Sequence, residues 1–150
     1  MRTPILALLM VAALAAVSCS SEDNPAAPSP AVIASLEGTW KATKAVFTSV
    51  APPTRTVDIV AQGSTLTLVL ATGGTYNLTI TEPGMPPVVQ TGTWSVGGDV
   101  LTLSRSSTSN SQFDKTLNGN TLVLAGGSAL FEFTDGVFEE AKLTMTLARQ

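Results

Sequence analysis

From Leu36 to Gln150 the chain repeats one device: a short run with apolar residues at every second position, closed by residues rich in glycine. "STLTLVLA" sets Leu66, Leu68 and Leu70 on one face, and "GTYNLTIT" does the same with Tyr76, Leu78 and Ile80. Trp94 and Val96, Leu101 and Leu103, Phe113 and Leu117, Leu122 and Leu124, Phe131 and Phe133, then Leu143, Met145 and Leu147 continue the pattern. A period of two is that of a β-strand, whose successive side chains point to opposite faces. Threonine fills many of the alternate positions and suits a solvated outer face. The runs are separated by Thr72-Gly73-Gly74, Gly97-Gly98-Asp99, Asn118-Gly119-Asn120, Gly126-Gly127 and Asp135-Gly136. Glycine, with Asn or Asp beside it, adopts the positive φ of tight hairpins, so each break reads as a turn. Hairpin-linked strands with no helix between them make an antiparallel meander. With eight or more strands, closure removes the unpaired edges. The expected fold is all-β: an antiparallel up-and-down meander closing into a small barrel of about eight strands.

Two segments leave this pattern. In "SPAVIASLEG", Ser29 is a candidate N-cap and Pro30 stands at the first helical position, which predicts a short helical turn ending near Gly38. In "APPTRTVDIVAQG" the prolines predict a loop, and Val57 to Ala61 reads as a strand or a helical turn. Lys115, between Phe113 and Leu117, is expected to be exposed, as lysines usually are. If it shares the inward face of Phe113 it becomes a buried cation and a functional candidate.

The chain has the length of a single domain, and its net charge of −3 comes with no basic patch, which argues against a nucleic-acid partner. Histidine is absent, which removes histidine general bases, Ser-His-Asp triads and imidazole metal sites. A nucleophilic serine then has no usual base. The densest acidic group is Asp135 with Glu139 and Glu140. Adjacent strand residues point apart, so this group reads as solvated turn charge rather than a Ca²⁺ site. No enzyme, metal or cofactor is expected. Asn77-Leu78-Thr79 matches a glycosylation sequon but reads as strand.

The first residues carry an address. Arg2 precedes "PILALLMVAALAAV", an uncharged run from Pro4 to Val17 that is short for a bilayer span and right for the apolar core of a secretory signal. Ala16-Val17-Ser18 before Cys19 resembles a bacterial lipobox. That resemblance implies cleavage of residues 1–18 and lipidation of Cys19, whose acyl chains would anchor the protein to a membrane. Cys19 is the only cysteine and has no disulfide partner within the chain, which lipidation accounts for. Residues 19–30, "CSSEDNPAAPSP", are small, polar and proline-rich, as in an extended tether, which leaves 31–150 for the barrel domain. Ser20 after the cysteine resembles an outer-membrane address. Glu22-Asp23 reads as solvated linker, or as resembling the acidic export signal of Bacteroidetes surface lipoproteins. The expected location is the outer membrane, facing the periplasm or the surface.

"LEGTW" at 36–40, Gly74-Thr75-Tyr76, Gly92-Thr93-Trp94-Ser95-Val96, Asp99 to Leu103 and the ending "DGVFEEAKLTMTLAR" follow one another in an order that resembles the lipocalin-like domains of bacterial lipoproteins, over residues 36–149. The resemblance implies a barrel able to hold a small apolar ligand. It also implies that Trp40, in the Gly-x-Trp of the first strand, packs under Arg149 near the end of the last, as a barrel-closing pair. Two functions stay open: a module binding a small apolar molecule, or a barrel filled by its own side chains that docks another envelope component. An apolar cavity of several hundred Å³ would favour the first, and a filled interior the second.

Overall fold

The computed structural model describes residues 28–52, 54–105 and 109–150. Cys19, the signal segment 1–18 and the tether as far as residue 27 lie outside the described residues.

Among the described residues a helix, α1 (Pro30–Leu36), is followed by nine strands: β1 (Gly38–Ser49), β2 (Thr56–Asp58), β3 (Thr65–Leu70), β4 (Thr75–Thr81), β5 (Val88–Gly97), β6 (Val100–Arg105), β7 (Asn110–Asn118), β8 (Thr121–Thr134) and β9 (Val137–Arg149). From β3 to β9 each strand pairs with the next, always antiparallel. The first half of β1 pairs with β3, and β1 also pairs with β9, from Trp40 opposite Arg149 to Ser49 opposite Ala141. The meander therefore closes as an eight-stranded barrel. β2 is an extra strand on the second half of β1.

The segment read as strand or helical turn is partly each. Thr56–Asp58 is strand, and Ile59 to Gly63 is a turn. One oxygen of Asp58 organises it by accepting the backbone N–H groups of Ala45 (3.1 Å), Val60 (3.1 Å) and Ala61 (3.4 Å). The helix forms as expected, with Pro30 first and the Ser29 hydroxyl accepting the Val32 N–H. Four of the five glycine breaks are hairpin turns or lie beside one. Gly126-Gly127 is not: it is a bulge inside β8, where pairing with β9 slips between Leu124 and Gly127. A turn and a bulge both use the positive φ of glycine, +83° at Gly126, so local sequence does not separate them.

The inward face follows the alternation, and Leu66, Leu68, Leu101, Leu122, Leu124, Met145 and Leu147 are fully buried. Two inward glycines make room for rings. The Tyr76 ring lies over Gly92 on the neighbouring strand, and the Phe113 ring occupies the place where a Gly127 side chain would be. These pairs let aromatic rings lie flat against the wall of a narrow barrel.

Lys115 is a correction. It faces inward with Phe113, opposite the buried Leu124, and its side chain is 11% exposed rather than solvated. The alternation of β7 fixes its face. The long stem runs to the barrel's end, where Nζ lies 3.8 Å from Asp99 Oδ1 in the β5–β6 turn.

Candidate functional site

The barrel has two unlike ends. At one, α1 and the turns β3–β4, β5–β6 and β7–β8 come together. This end is stoppered. Trp40 is fully buried, its Nε1 donating to the Leu36 carbonyl at 2.8 Å. Arg149 lies over the indole, its guanidinium carbon 4.3 Å from the ring centroid. Its Nη1 donates to the Glu37 carbonyl at 2.7 Å and its Nη2 to the Ser35 carbonyl, so the last strand holds the C-terminal turn of the first helix. Trp94 Nε1 donates to the Ala71 carbonyl at 3.1 Å and ties the β3–β4 turn to the same end.

The other end is aromatic. The β8–β9 hairpin runs past the end of β1, and its twist brings Phe131 onto Phe47, stacked with centroids 4.2 Å apart. Phe133 meets Phe131 edge-on at 4.9 Å. Both hairpin phenylalanines are half-buried. Arg55, just before β2, lies over Phe133 at 5.1 Å from its centroid. Its Nη1 donates to Thr134 Oγ1 at 2.8 Å, its Nη2 pairs with Glu139 Oε2, and its Nε is buried with no acceptor among the described residues.

Around this mouth the surface turns apolar. Of the eight most exposed large hydrophobic side chains among the described residues, seven sit at this end: Val50, Met85, Val88, Val89, Leu130, Val137 and Phe138. Leu130 is 68% exposed and Phe138 67%. Single exposed apolar residues are ordinary; here seven share one end of the barrel, on its outer strand faces and turns.

The interior from the stopper through the middle layers is filled by the chain's own side chains, since residues with no exposed area line no void of water size. Two grooves, of about 340 and 490 Å³, lie on the outer wall. One runs along β6 to β9 beside the Gly126 bulge, the other along β3 to β5 among Thr75, Asn77, Thr91 and Thr93.

Trp40 and Arg149 are thus brought together, and Cys19 lies outside the described residues. Asp135, Glu139 and Glu140 do not converge: Glu139 turns to Arg55, while Glu140 points to the opposite face of the hairpin. Among the described residues no group of three or more potential metal ligands is present. Arg55 was not legible as a site residue. It sits in a proline-rich stretch whose pairing with a strand some eighty residues away has no local signal.

Eight antiparallel strands closed by the pairing of β1 with β9, with a helix and a Trp–Arg pair at one end, define a small up-and-down barrel. A model of the lipocalin-like domain family matches residues 36–124, more than half of the chain, and the chain belongs to that family. The match ends within β8, so the hairpin that carries Phe131, Phe133 and Glu139 and the strand that closes the barrel lie beyond it. No curated protein matches the chain. Lipocalin-like folds typically bind rather than catalyse, which makes small-molecule binding the general expectation for this barrel.

Proposed function

We propose that this protein is an envelope lipoprotein, anchored through Cys19, whose barrel binds a small apolar molecule at its aromatic end. The observation that carries the reading is the cluster of half-buried Phe131 and Phe133 on the buried Phe47, at the end of the barrel where the exposed apolar side chains gather. With the middle of the barrel packed, the ligand engages the mouth and its first layer rather than a deep cavity. The chain leads into the domain through α1 at the stoppered end, so a tether from a lipidated Cys19 attaches opposite the mouth.

The packed interior favours a second reading, in which the same rim docks another envelope component and no small molecule is held. Titration of the purified domain with N-phenyl-1-naphthylamine, an uncharged probe that fluoresces in apolar sites, separates the two. Saturable binding is expected, weakened by Phe131→Ser. A probe that does not bind, with the domain folded, leaves the docking reading. The anchor has its own test: Cys19→Ala is expected to move the protein from the membrane to the soluble fraction in its native host. Unchanged membrane association and processing would rule out lipidation there.

A further inference from the structure

We infer that the outer edge of β8 takes up an extended segment of a partner protein as a further antiparallel strand, and that this segment alternates apolar with basic residues. The inference rests on the reading in which this end docks another envelope component, and it needs no bound small molecule. β8 runs to Thr134 but pairs with β7 only as far as Ala125. The bulge at Gly126 turns it aside. Past the bulge, β7 reaches β8 through side chains: the Phe113 ring against Gly127, and the Ser111 hydroxyl, which donates to the Ser128 carbonyl at 3.2 Å. The Ser128 carbonyl thus points away from β9. Backbone groups alternate in direction along a strand, so the N–H and C=O of Leu130 and Glu132 point the same way. Among the described residues no strand pairs with β8 on that side, while on the other it stays paired with β9 up to Thr134 opposite Val137.

From Leu130 to Thr134 this edge is about 17 Å long, at about 3.4 Å per residue. Exposed edges are commonly blunted by proline or lysine, and this one carries neither. The side chains beside it define what fits. On the barrel side Phe131 and Phe133 are half-buried, so an added strand meets the flanks of two rings and matches them with apolar residues. On the outer side stand Leu130 and Glu132, both exposed. The hairpin from Leu130 to Glu140 holds four acidic residues and no basic one, and Arg55 pairs with Glu139 alone. Basic residues therefore suit the outer side of the added strand, and a period of two supplies both faces at once. A second copy of β8 fits less well. Pairing centred on Glu132 would set two carboxylates directly opposite, and other registers still bring two acidic hairpins together.

The test is fluorescence anisotropy of labelled synthetic peptides titrated with the purified full chain, one alternating valine with lysine and one valine with glutamate. The valine–lysine peptide is expected to bind saturably and about tenfold more tightly than the other. In an antiparallel pair, residues that exchange hydrogen bonds share a face, so the lysines opposite Leu130 and Glu132 present their N–H groups to β8. N-methylation of the lysine residues is therefore expected to abolish binding, and N-methylation of the valines to leave it in place. Leu130→Pro removes an edge N–H that the β8–β9 ladder does not use, and is expected to weaken binding about tenfold in a folded chain. Glu132→Lys is expected to reverse the preference between the two peptides. Binding indifferent to methylation of the lysines overturns strand addition and leaves docking through the apolar surface intact. Binding of neither peptide overturns the inference, while the docking reading keeps its own test in the naphthylamine titration. A concentration-dependent dimer in sedimentation, lost in Leu130→Pro, gives the edge to a second copy and also overturns it. Should Leu130→Pro fail to fold, the two methylated peptides decide.

Discussion

Gly92→Ala is expected to cost about 3 kcal/mol or more, at the upper end of what overpacking does to a core. Against a total stability of roughly 5–15 kcal/mol, that leaves a domain folded only marginally. The added Cβ would stand 2.0 Å from the backbone oxygen of Ser104 and 2.8 Å from Cε1 of Tyr76. A side chain can rotate away, but a strand in the barrel wall cannot move without loosening the β5–β6 ladder. Gly127→Ala is the contrasting case. Its Cβ would sit 2.0 Å from Cε1 of Phe113, and its three nearest neighbours are all atoms of that ring. Phe113→Ala should therefore absorb most of the cost of Gly127→Ala, whereas Tyr76→Ala should not absorb that of Gly92→Ala. Urea denaturation of the four single and two double variants measures both couplings. If truncating Tyr76 restores Gly92→Ala, the ring rather than the strand is the obstacle.

The same glycines show how far the sequence could be read. Alternation is a local property, so the strands, their inward faces and the barrel class were legible from Leu66, Tyr76, Trp94 and their successors. So was α1, because a Ser-Pro start is a local signal. The use to which a glycine is put depends on what lies across the sheet. Gly126-Gly127 reads as a turn along the chain and is a bulge in the fold, because β8 continues against β9 beyond it. Lys115 was misjudged for a related reason. Composition says that lysine is exposed, whereas strand parity puts it beside Phe113, and its length lets the ammonium reach Asp99 at the barrel end. Arg55 and Glu139 are paired only by the twist of a hairpin that curls over the mouth, and nothing near either residue announces the other.

The stoppered end gives the second large effect. Arg149→Ala is expected to cost about 2 kcal/mol, because it removes a cation–π contact worth roughly 0.5–2 kcal/mol and leaves two backbone carbonyls short of a donor. Trp40→Leu should cost about 3 kcal/mol, since it removes most of a large, fully buried ring and with it the donor to the Leu36 carbonyl. The two losses should not add. Trp40 holds the carbonyl of Leu36, and Arg149 those of Glu37 and Ser35, so the pair grips consecutive peptide groups at the end of α1. Once the indole is gone, the guanidinium has no face to lie on, and part of its contribution is already lost. A double-mutant cycle should return a coupling of about 1 kcal/mol or more, and additive losses would show that the contact carries no energy of its own. Arg149→Lys separates charge from shape. An ammonium keeps the charge but lacks the planar fork that reaches two carbonyls while lying flat on the ring, so it should recover well under half of the loss. Gly38 belongs to the same device. It has φ of +133°, and a Cβ there would stand 2.8 Å from Arg149 Nη1. The backbone ahead of Trp40 is bare where the arginine passes, which is why the first and last strands can lie register to register with the helix clamped beneath them.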